Sequence, residues 1–420
     1  MSDTFRSLFS GSAKNPPQGS GGSITGDSTA PREVRPDAVP GAVIRVLGTG
    51  GGGGNAVARM VGAKVQGVDF VAVNTDVQAL YHNPAPRKIT IGRGTTKGLG
   101  AGANPDIGKR AAEESTEEIK AALEGADMLF ITAGLGGGTG NGSISVIAEL
   151  ARSMGILTVG VVTKPFSFEG LKRRKNADEA LENLKGKVDT LITIPNDKIL
   201  SLIDKTTPLT EAFEVVDEVL QHAIEGITSM ITQHGLINVD FADVKTIMQD
   251  AGTALMGIGY GTGDSRAAEA ARAAIDSPLL ELSISGARGI LFNITGGNDL
   301  SMFEVDEAAR IITETAAPEA NIIFGAVIDE NFTGQVKCTV IATGFDLAET
   351  VQQASFQSPA QRYLTKSQGE RGTLREQPRA AREERSERDY PIEQLGTKPA
   401  SHLNEEELEV PAFMRKPLSK

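Results

Sequence analysis

Short apolar runs rich in β-branched residues alternate with amphipathic patterns along the first half of the chain. Five of these runs predict strands: AVIRVLG, FVAVNTD, MLFITAG, LTVGVVT and TLITIPND. Helical patterns lie between them at 55–63, 106–123, 142–154 and 169–187. Such alternation is typical of βαβ units whose parallel sheet is covered on both faces. We therefore predict an α/β fold with a Rossmann-like parallel sheet, which binds ligands at the carboxyl ends of its strands.

A long helix and a smaller α/β region are predicted next. Apolar residues recur at helical spacing through TEAFEVVDEVLQHAIEGITSMI, which predicts a mostly buried helix of about 22 residues and about 33 Å. The runs ARGILFNITGG, NIIFGAVID and VKCTVIATGF predict further strands, and 264–275 and 305–315 predict helices. We expect these elements to form a C-terminal α/β domain with a mixed sheet.

Composition divides the chain into six segments. We predict a disordered extension at 1–40, a ligand-binding domain at 41–208, the long helix and a following loop at 209–252, the C-terminal domain at 253–346, a disordered polar linker at 347–402 and a tail peptide at 403–420. The first and fifth segments lack apolar periodicity and could not bury a core.

Charge and cysteine content exclude several classes of protein. The net charge of −12 and the pI of about 5.1 argue against nucleic acid as a partner. Cys338 is the single cysteine, so no disulfide can form within the chain. No apolar run is long enough to span a membrane, and the N-terminus lacks a signal-peptide core. We expect a cytoplasmic protein that does not insert into membranes.

Two glycine-rich runs stand where predicted strands lead into helices. They read VLGTGGGGGNAV, near residue 50, and GLGGGTGNG, at 134–142. Glycine lets backbone N–H groups approach a ligand closely, and a helix N-terminus favours anions. Neither run has the Lys-Ser/Thr of a P-loop. Two such loops on one sheet are expected to hold a polyphosphate from both sides.

An alternative interpretation uses only the first run. Gly48, Gly50 and Gly53 fit the GxGxxG pattern of dinucleotide-binding proteins, and an acidic residue follows at Asp69 or Asp76. An NAD-dependent oxidoreductase is therefore an alternative hypothesis, although it leaves the run at 134–142 without a role.

The run GGGTGNG resembles the GGGTG-[ST]-G signature of the tubulin and FtsZ superfamily of GTPases. VNTDVQAL, TKGLGAGANPDIG, KPFSFEG, TIPNDKIL, INVDFADVKTIM and IATGF are similar to FtsZ family sequences in the same order. The resemblance implies a tubulin/FtsZ-like fold and a self-polymerising GTPase that forms a cell-division scaffold. It also implies that the protein binds GTP or GDP, that the nucleotide carries Mg²⁺, and that hydrolysis takes place between head-to-tail subunits. No protein side chain is assigned as a metal ligand.

The resemblance assigns nucleotide-binding roles to both glycine runs and to later segments. These residues are Gly51, Gly52, Gly53, Gly54, Asn55, Asn74, Gly137, Gly138, Thr139, Gly140, Glu169, Arg173, Phe213 and Asp217. Glu169 and Arg173 would lie around the ribose and base, and Phe213 would stack on guanine. Asp217 would pair with guanine, whose N1–H and N2–H are adjacent donors.

Structural roles stay open for some of these residues. Glu169 and Arg173 could form a surface ion pair on one helix, because they are four residues apart. Asn74 could cap the end of a strand, and Phe213 could be a core residue. Asn141, which stands where Ser or Thr is common in the family, is expected to cap the helix that follows it.

The loop HGLINVDFADV is expected to carry the catalytic residues. The resemblance places Asn238, Asp240 and Asp243 at the nucleotide of the next subunit, where the two carboxylates orient and polarise the attacking water. A structural role is compatible with this one, because Asp240 could be an N-cap and Asp243 could favour the helix dipole.

The tail EEELEVPAFMRKP resembles the peptide through which FtsZ family members bind membrane tethers and division regulators. Val410, Pro411, Phe413 and Met414 would enter an apolar groove with a basic rim. The alternative is an ordinary disordered terminus. The resemblance implies a location at the division site, on the inner face of the membrane.

Overall fold

A ten-stranded sheet runs through the part of the chain that the computed structural model describes, residues 41–345 apart from 202, 205, 234, 281 and 282. The strands are β1 Ile44–Thr49, β2 Val68–Asn74, β3 Arg87–Thr90, β4 Met128–Gly134, β5 Leu157–Lys164, β6 Thr190–Pro195, β7 Gly252–Thr262, β8 Gly289–Gly296, β9 Asn321–Ile328 and β10 Gln335–Thr343. Their spatial order is β3-β2-β1-β4-β5-β6-β7-β10-β8-β9.

The sheet is parallel in its first part and mixed in its second. Strands β1 to β6 pair only in parallel, and the start of β7 continues this pattern beside β6. Strand β10 lies antiparallel between β7 and β8, and β9 is parallel to β8. The predicted fold is therefore confirmed. The predicted domain boundaries at 208 and 252 stay predictions, because the sheet continues from β6 to β7.

Helices cover both faces of this sheet. They are α1 Gly50–Gly62, α2 Val77–His82, α3 Arg93–Thr96, α4 Pro105–Glu114, α5 Thr116–Leu123, α6 Thr139–Ser153, α7 Leu171–Leu184, α8 Asn196–Ile199, α9 Leu209–Thr232, α10 Phe241–Met248, α11 Arg266–Ile275 and α12 Met302–Thr315. Helices α1, α9 and α10 share one apolar core with the sheet, and α4 to α7 share a second core on the opposite face. Helices α11 and α12 pack on β8 and β10.

Helix α9 is the predicted long helix, and it has 24 residues. It packs on α1 and β5 in the parallel part of the sheet and on β8 and β9 in the mixed part. The helix therefore reaches from one half of the fold to the other, and the loop that follows it lies far from its first turn.

The sequence pattern missed two strands. Strand β3 is a short edge strand with charged residues. Strand β7 reads GTALMGIGYGT, where alternate glycines interrupt the apolar pattern. A Cβ on Gly257, Gly259 or Gly261 would lie about 2 Å from backbone oxygens of α11. These glycines are therefore required by the close approach of α11, which no local pattern reveals.

Several helix boundaries differ from the predictions. Helix α1 begins at Gly50 and α6 begins at Thr139, so glycines that were expected in loops form first turns. The helix predicted over 106–123 is interrupted at Ser115, whose Oγ accepts a hydrogen bond from the N–H of Gly92. The backbone of Ser115, with φ of −106° and ψ of 24°, lies outside the regular helical region.

Candidate nucleotide-binding site

A cavity of about 420 Å³ lies at the carboxyl ends of the parallel strands, where α1 and α6 begin. Most of the predicted nucleotide-binding residues line it: Gly51, Gly52, Asn55, Gly137, Gly138, Thr139, Gly140, Glu169, Arg173, Phe213 and Asp217. The topology thus brings two glycine runs, the 3₁₀ turn at 167–169, α7 and α9 around one space.

The two glycine runs are in contact through their backbones. A Cβ on Gly50, whose φ is +73°, would lie 2.7 Å from the nitrogen of Gly140. By contrast, Cβ atoms on Gly51 or Gly137 would meet nothing within 4 Å, because these residues border open space. Some glycines therefore let the two turns meet, and others leave room for a ligand.

The N-termini of α1 and α6 favour an anion in this space. Neither N-cap residue, Thr49 or Gly138, makes a side-chain hydrogen bond to the first turn. The first-turn N–H groups therefore remain available, and the dipoles of both helices place positive potential at the cavity. Phosphate groups suit this arrangement.

Three predicted residues do not line the cavity. A Cβ on Gly53 would lie 2.3 Å from the carbonyl oxygen of Thr132, so this glycine is required for packing. The carbonyl oxygen of Gly54 accepts a 2.8 Å hydrogen bond from Asn83. Asn74 is buried at the end of β2, where its Oδ1 accepts a hydrogen bond from the N–H of Asp76. This geometry fits the structural role for Asn74, as a cap at a strand end.

Phe213 and Asp217 form the part of the cavity suited to a base. Phe213 is 40% exposed and lies edge-to-face on Phe166 at 5.5 Å, so it is not a core residue and its ring is open to stacking. Burial raises the pKa of Asp217 to about 6, the positive charge of Arg59 opposes this rise, and the negative charge of Glu214 adds to it.

Glu169 and Arg173 do not share a helix, which corrects one expectation. Glu169 ends a 3₁₀ turn at Ser167–Glu169, and Gly170 with φ of 100° separates this turn from α7. The two side chains still form an ion pair. The other carboxylate oxygen of Glu169 accepts a 2.9 Å hydrogen bond from the N–H of Phe166, which fixes the carboxylate at the rim of the cavity.

Asn196 is a site residue that the sequence reasoning missed. It follows β6, lines the cavity and is 5% exposed. Its Oδ1 has no hydrogen-bond partner within the described part of the chain. An unpaired buried acceptor is costly, so a ligand that donates a hydrogen bond here would be stabilised. The available signal was a polar residue directly after a strand, in TLITIPND.

The predicted catalytic residues lie away from the cavity. From Asp217 to its last residue, Thr232, α9 rises about 22 Å, and Asn238 and Asp240 follow beyond that end. Asn238 accepts a 2.7 Å hydrogen bond from the N–H of Gly235. Asp240 is the N-cap residue of α10, but its side chain makes no capping hydrogen bond. Asp240 and Asp243 are both exposed, so their carboxylates can meet another molecule.

The predictions about membrane spans, metal ligands and the tail peptide can be compared with the structure only for the described residues. Within them, no helix is long and apolar enough to cross a membrane. In the same part of the chain, no group of three or more His, Cys, Asp or Glu side chains could hold a metal ion. The tail residues Val410, Pro411, Phe413 and Met414 lie outside the described residues.

The cavity combines two glycine-rich turns at helix N-termini with an exposed aromatic ring and a carboxylate. This combination is typical of a nucleotide-binding α/β protein. Residues 43–204 match the model of the tubulin/FtsZ family GTPase domain, and residues 252–346 match that of the FtsZ family C-terminal domain. The chain belongs to the tubulin/FtsZ family. The matched GTPase domain leaves the oxidoreductase hypothesis without support.

Solved structures agree with this assignment. An empty FtsZ dimer from M. jannaschii is 49% identical, with a TM-score of 0.70, over 72% of this chain and 88% of that one. A GTPγS-bound protofilament of CetZ2 from Haloferax volcanii is 22% identical, with a TM-score of 0.63, over 78% and 99% of the two chains. A GDP-bound monomer of CetZ1 from the same organism is 20% identical, with a TM-score of 0.64 over the same shares. The two CetZ structures are similar in fold.

Proposed function

We propose that the chain binds GTP in the cavity and hydrolyses it when a second copy supplies the catalytic loop. The observation that carries this proposal is the separation of Asp240 and Asp243 from the cavity by most of the length of α9. A carboxylate that follows the far end of this helix, which rises about 22 Å from Asp217 to Thr232, cannot orient water at the γ-phosphate of its own subunit. Head-to-tail association brings the two parts together.

Nucleotide binding would use the cavity from both ends. The first turns of α1 and α6 hold the phosphates with backbone N–H groups, and Thr139 adds its hydroxyl. Phe213 stacks on guanine, while Asp217 accepts hydrogen bonds from N1–H and N2–H. The unpaired Oδ1 of Asn196 accepts a hydrogen bond from a donor group of the nucleotide. Mg²⁺ is held through the phosphates, since phosphoryl transfer requires charge neutralisation there.

Hydrolysis would depend on the neighbouring subunit's Asn238, Asp240 and Asp243. The carboxylates of Asp240 and Asp243 orient and polarise the water that attacks the γ-phosphate, a step in which positioning matters more than covalent chemistry. The M. jannaschii relative was solved as a dimer and the CetZ2 relative as a protofilament, which supports self-association in this chain. Polymerisation therefore activates the GTPase.

The filament would form the scaffold of the cell-division ring in the cytoplasm, at the inner face of the membrane. The tail at 403–420 would bind a membrane tether or regulator, and many tails on one filament convert weak contacts into firm attachment. Deletion of 403–420 should leave polymerisation and GTP hydrolysis intact and abolish recruitment to the tether. Loss of polymerisation in the truncated protein would contradict this division of roles.

The test is sedimentation of the full chain with GTP, with GDP and without nucleotide, with phosphate release followed in the same samples. We expect pelleting with GTP and a turnover per subunit that rises with protein concentration. ATP serves as the control nucleotide and should give neither. Turnover per subunit that stays constant down to very low protein concentration would overturn the shared site.

A further inference from the structure

Arg59 connects the two helices that form opposite ends of the nucleotide cavity. It lies one turn after Asn55 on α1, the helix that begins at the phosphate end. Its Nη2 donates to Glu214 Oε2 at 3.4 Å and to Glu218 Oε1 at 3.1 Å, both on α9. These glutamates lie three residues before and one residue after Asp217.

The bridge sits over a packed interface. Ala56 and Met60 of α1 share an apolar core with Val216 and Leu220 of α9. The Arg59 side chain is 28% exposed, whereas Glu214 and Glu218 are 58% and 49% exposed. Ion pairs this close to solvent contribute little to stability. The bridge is therefore of interest for its location, because it joins α1, which begins at the phosphate end of the cavity, to the part of α9 that carries Asp217.

The same bridge surrounds Asp217 with opposing charges. Burial raises the pKa of Asp217 to about 6, while the charge of Arg59 lowers it and that of Glu214 raises it. Across the cavity, the other charged groups are the paired Glu169 and Arg173. The carboxyl group would accept two hydrogen bonds from guanine only when it is ionised, because a protonated carboxyl keeps one free acceptor oxygen.

We propose that Arg59 is a positioning residue for guanine recognition. Arg59 holds the face of α9 that carries Phe213 and Asp217, and it keeps the Asp217 carboxylate as the hydrogen-bond acceptor for the base. The proposal rests on the proposed binding of guanine nucleotides. It adds a residue that touches neither phosphate nor base and acts through α9.

Two substitutions separate this role from simple packing. Arg59→Gln removes both ion pairs of the bridge and Glu214→Gln removes one of them, so a merely structural role predicts effects in the same direction for both. Their charges act on Asp217 with opposite signs. Loss of Arg59 should favour the protonated carboxyl, and loss of Glu214 should favour the carboxylate. Arg310→Gln is the matched control, because it removes an arginine from an exposed pair on α12 with Asp306.

The experiment measures affinities for GDP and for inosine diphosphate between pH 5.5 and 8.5, by calorimetry on the full chain. Inosine diphosphate lacks only the 2-amino group, so titration of the phosphates and of distant residues cancels in the ratio of the two affinities. In the unchanged protein the preference for GDP should fall on acidification, with a midpoint near pH 6.

We expect Arg59→Gln to move that midpoint upward by about half a pH unit or more, Glu214→Gln to move it downward, and Arg310→Gln to leave it in place. Equal midpoints in all variants that bind GDP, or shifts of the same sign for the first two, would overturn the proposal. If Arg59→Gln fails to fold, Arg59→Met, which keeps the aliphatic part of the side chain and lacks the charge, should give the same upward shift, and an unmoved midpoint in that variant refutes the proposal. An unchanged protein that does not bind GDP at pH 8 would instead overturn the proposed function.

Discussion

The side-chain oxygen of Asn141 accepts a 2.8 Å hydrogen bond from the backbone N–H of Gly136. The Nδ2 of the same side chain donates to the carbonyl oxygen of Asn176 in α7, also at 2.8 Å. Asn141 therefore closes the glycine-rich turn and ties it to the neighbouring helix. The expectation that it caps the following helix is wrong, because Asn141 lies within the first turn of α6 and bonds backward and across.

Replacement of Asn141 should destabilise the fold and loosen the glycine-rich turn. In Asn141→Ala the buried N–H of Gly136 loses its partner and the half-buried carbonyl oxygen of Asn176 loses a hydrogen bond, so we expect the free energy of unfolding to fall by about 1–3 kcal/mol. Urea denaturation measures this loss. Asn331→Ala is the control, since Asn331 is exposed and its side chain bonds to the nearby Asp329. Equal stability of the two variants would contradict the role assigned to Asn141.

Two glycines of one run should respond to alanine in opposite ways. A Cβ on Gly137 meets nothing within 4 Å, whereas a Cβ on Gly142 would lie 2.0 Å from the carbonyl oxygen of Pro105. Gly137→Ala should keep the free energy of unfolding within about 1 kcal/mol and weaken GDP binding about tenfold or more, because the methyl group enters the cavity. Gly142→Ala should cost about 1–3 kcal/mol in stability through overpacking. Urea denaturation and calorimetry distinguish the two, and a Gly137→Ala variant with normal affinity would refute the phosphate role of that turn.

Apolar runs predicted five of the parallel strands and helical periodicity predicted α9, because the apolar residues of each element are close in sequence. The glycine runs predicted a phosphate site for the same reason, since strand, turn and helix follow one another directly. These signals are local. They account for most of the sheet and for the position of the cavity.

Features that depend on distant contacts were not predictable. Nothing near β7 indicates that α11 lies against its glycines, and nothing near Asn196 shows that its oxygen lacks a partner. The turn at Gly170 is similar, because four-residue spacing suggested one helix for Glu169 and Arg173. The proposed roles of Asn238, Asp240 and Asp243 came from resemblance alone, and the length of α9 supports the proposal that a second subunit is needed.

His222 should make stability depend on pH. It lies on α9 beside the ring of Tyr260, and burial together with the charge of Lys337 lowers its pKa to about 4. The unfolded chain takes up a proton near pH 6.5, whereas the folded chain does so only near pH 4. The contribution of His222 is therefore complete above pH 6.5 and is lost as the pH falls toward 4.

Between pH 7 and pH 5 this difference amounts to about 2 kcal/mol. Denaturant titrations of the unchanged protein and of His222→Gln at both pH values measure it. The raised pKa of Asp217 acts in the opposite direction, but it is present in both proteins and cancels in the comparison. Parallel pH profiles for the two proteins would show that His222 is protonated as easily in the folded state as in the unfolded one.

Removal of the carboxylates after α9 should separate binding from turnover. Asp240→Ala and Asp243→Ala leave the cavity unchanged, so GDP affinity by calorimetry should equal that of the unchanged protein. Phosphate release should fall by about 100-fold or more, near 2.7 kcal/mol of barrier, because the attacking water loses its orienting group. Asp306→Ala is the control, since Asp306 is another exposed carboxylate that lies on α12.

Mixing experiments test which subunit supplies the carboxylates. Asp240→Ala retains an intact cavity, and a cavity variant such as Asp217→Ala retains an intact catalytic loop. If the active site forms between subunits, a mixture of the two should release more phosphate than the sum of the separate proteins, because the intact cavity of one meets the intact loop of the other. If each chain completes its own site, the mixture can give only that sum. A mixture no more active than its parts would therefore indicate that both carboxylates act at the cavity of their own chain. That result would contradict the shared site, which is proposed because α9 rises about 22 Å from Asp217 to Thr232, before the loop that carries the carboxylates.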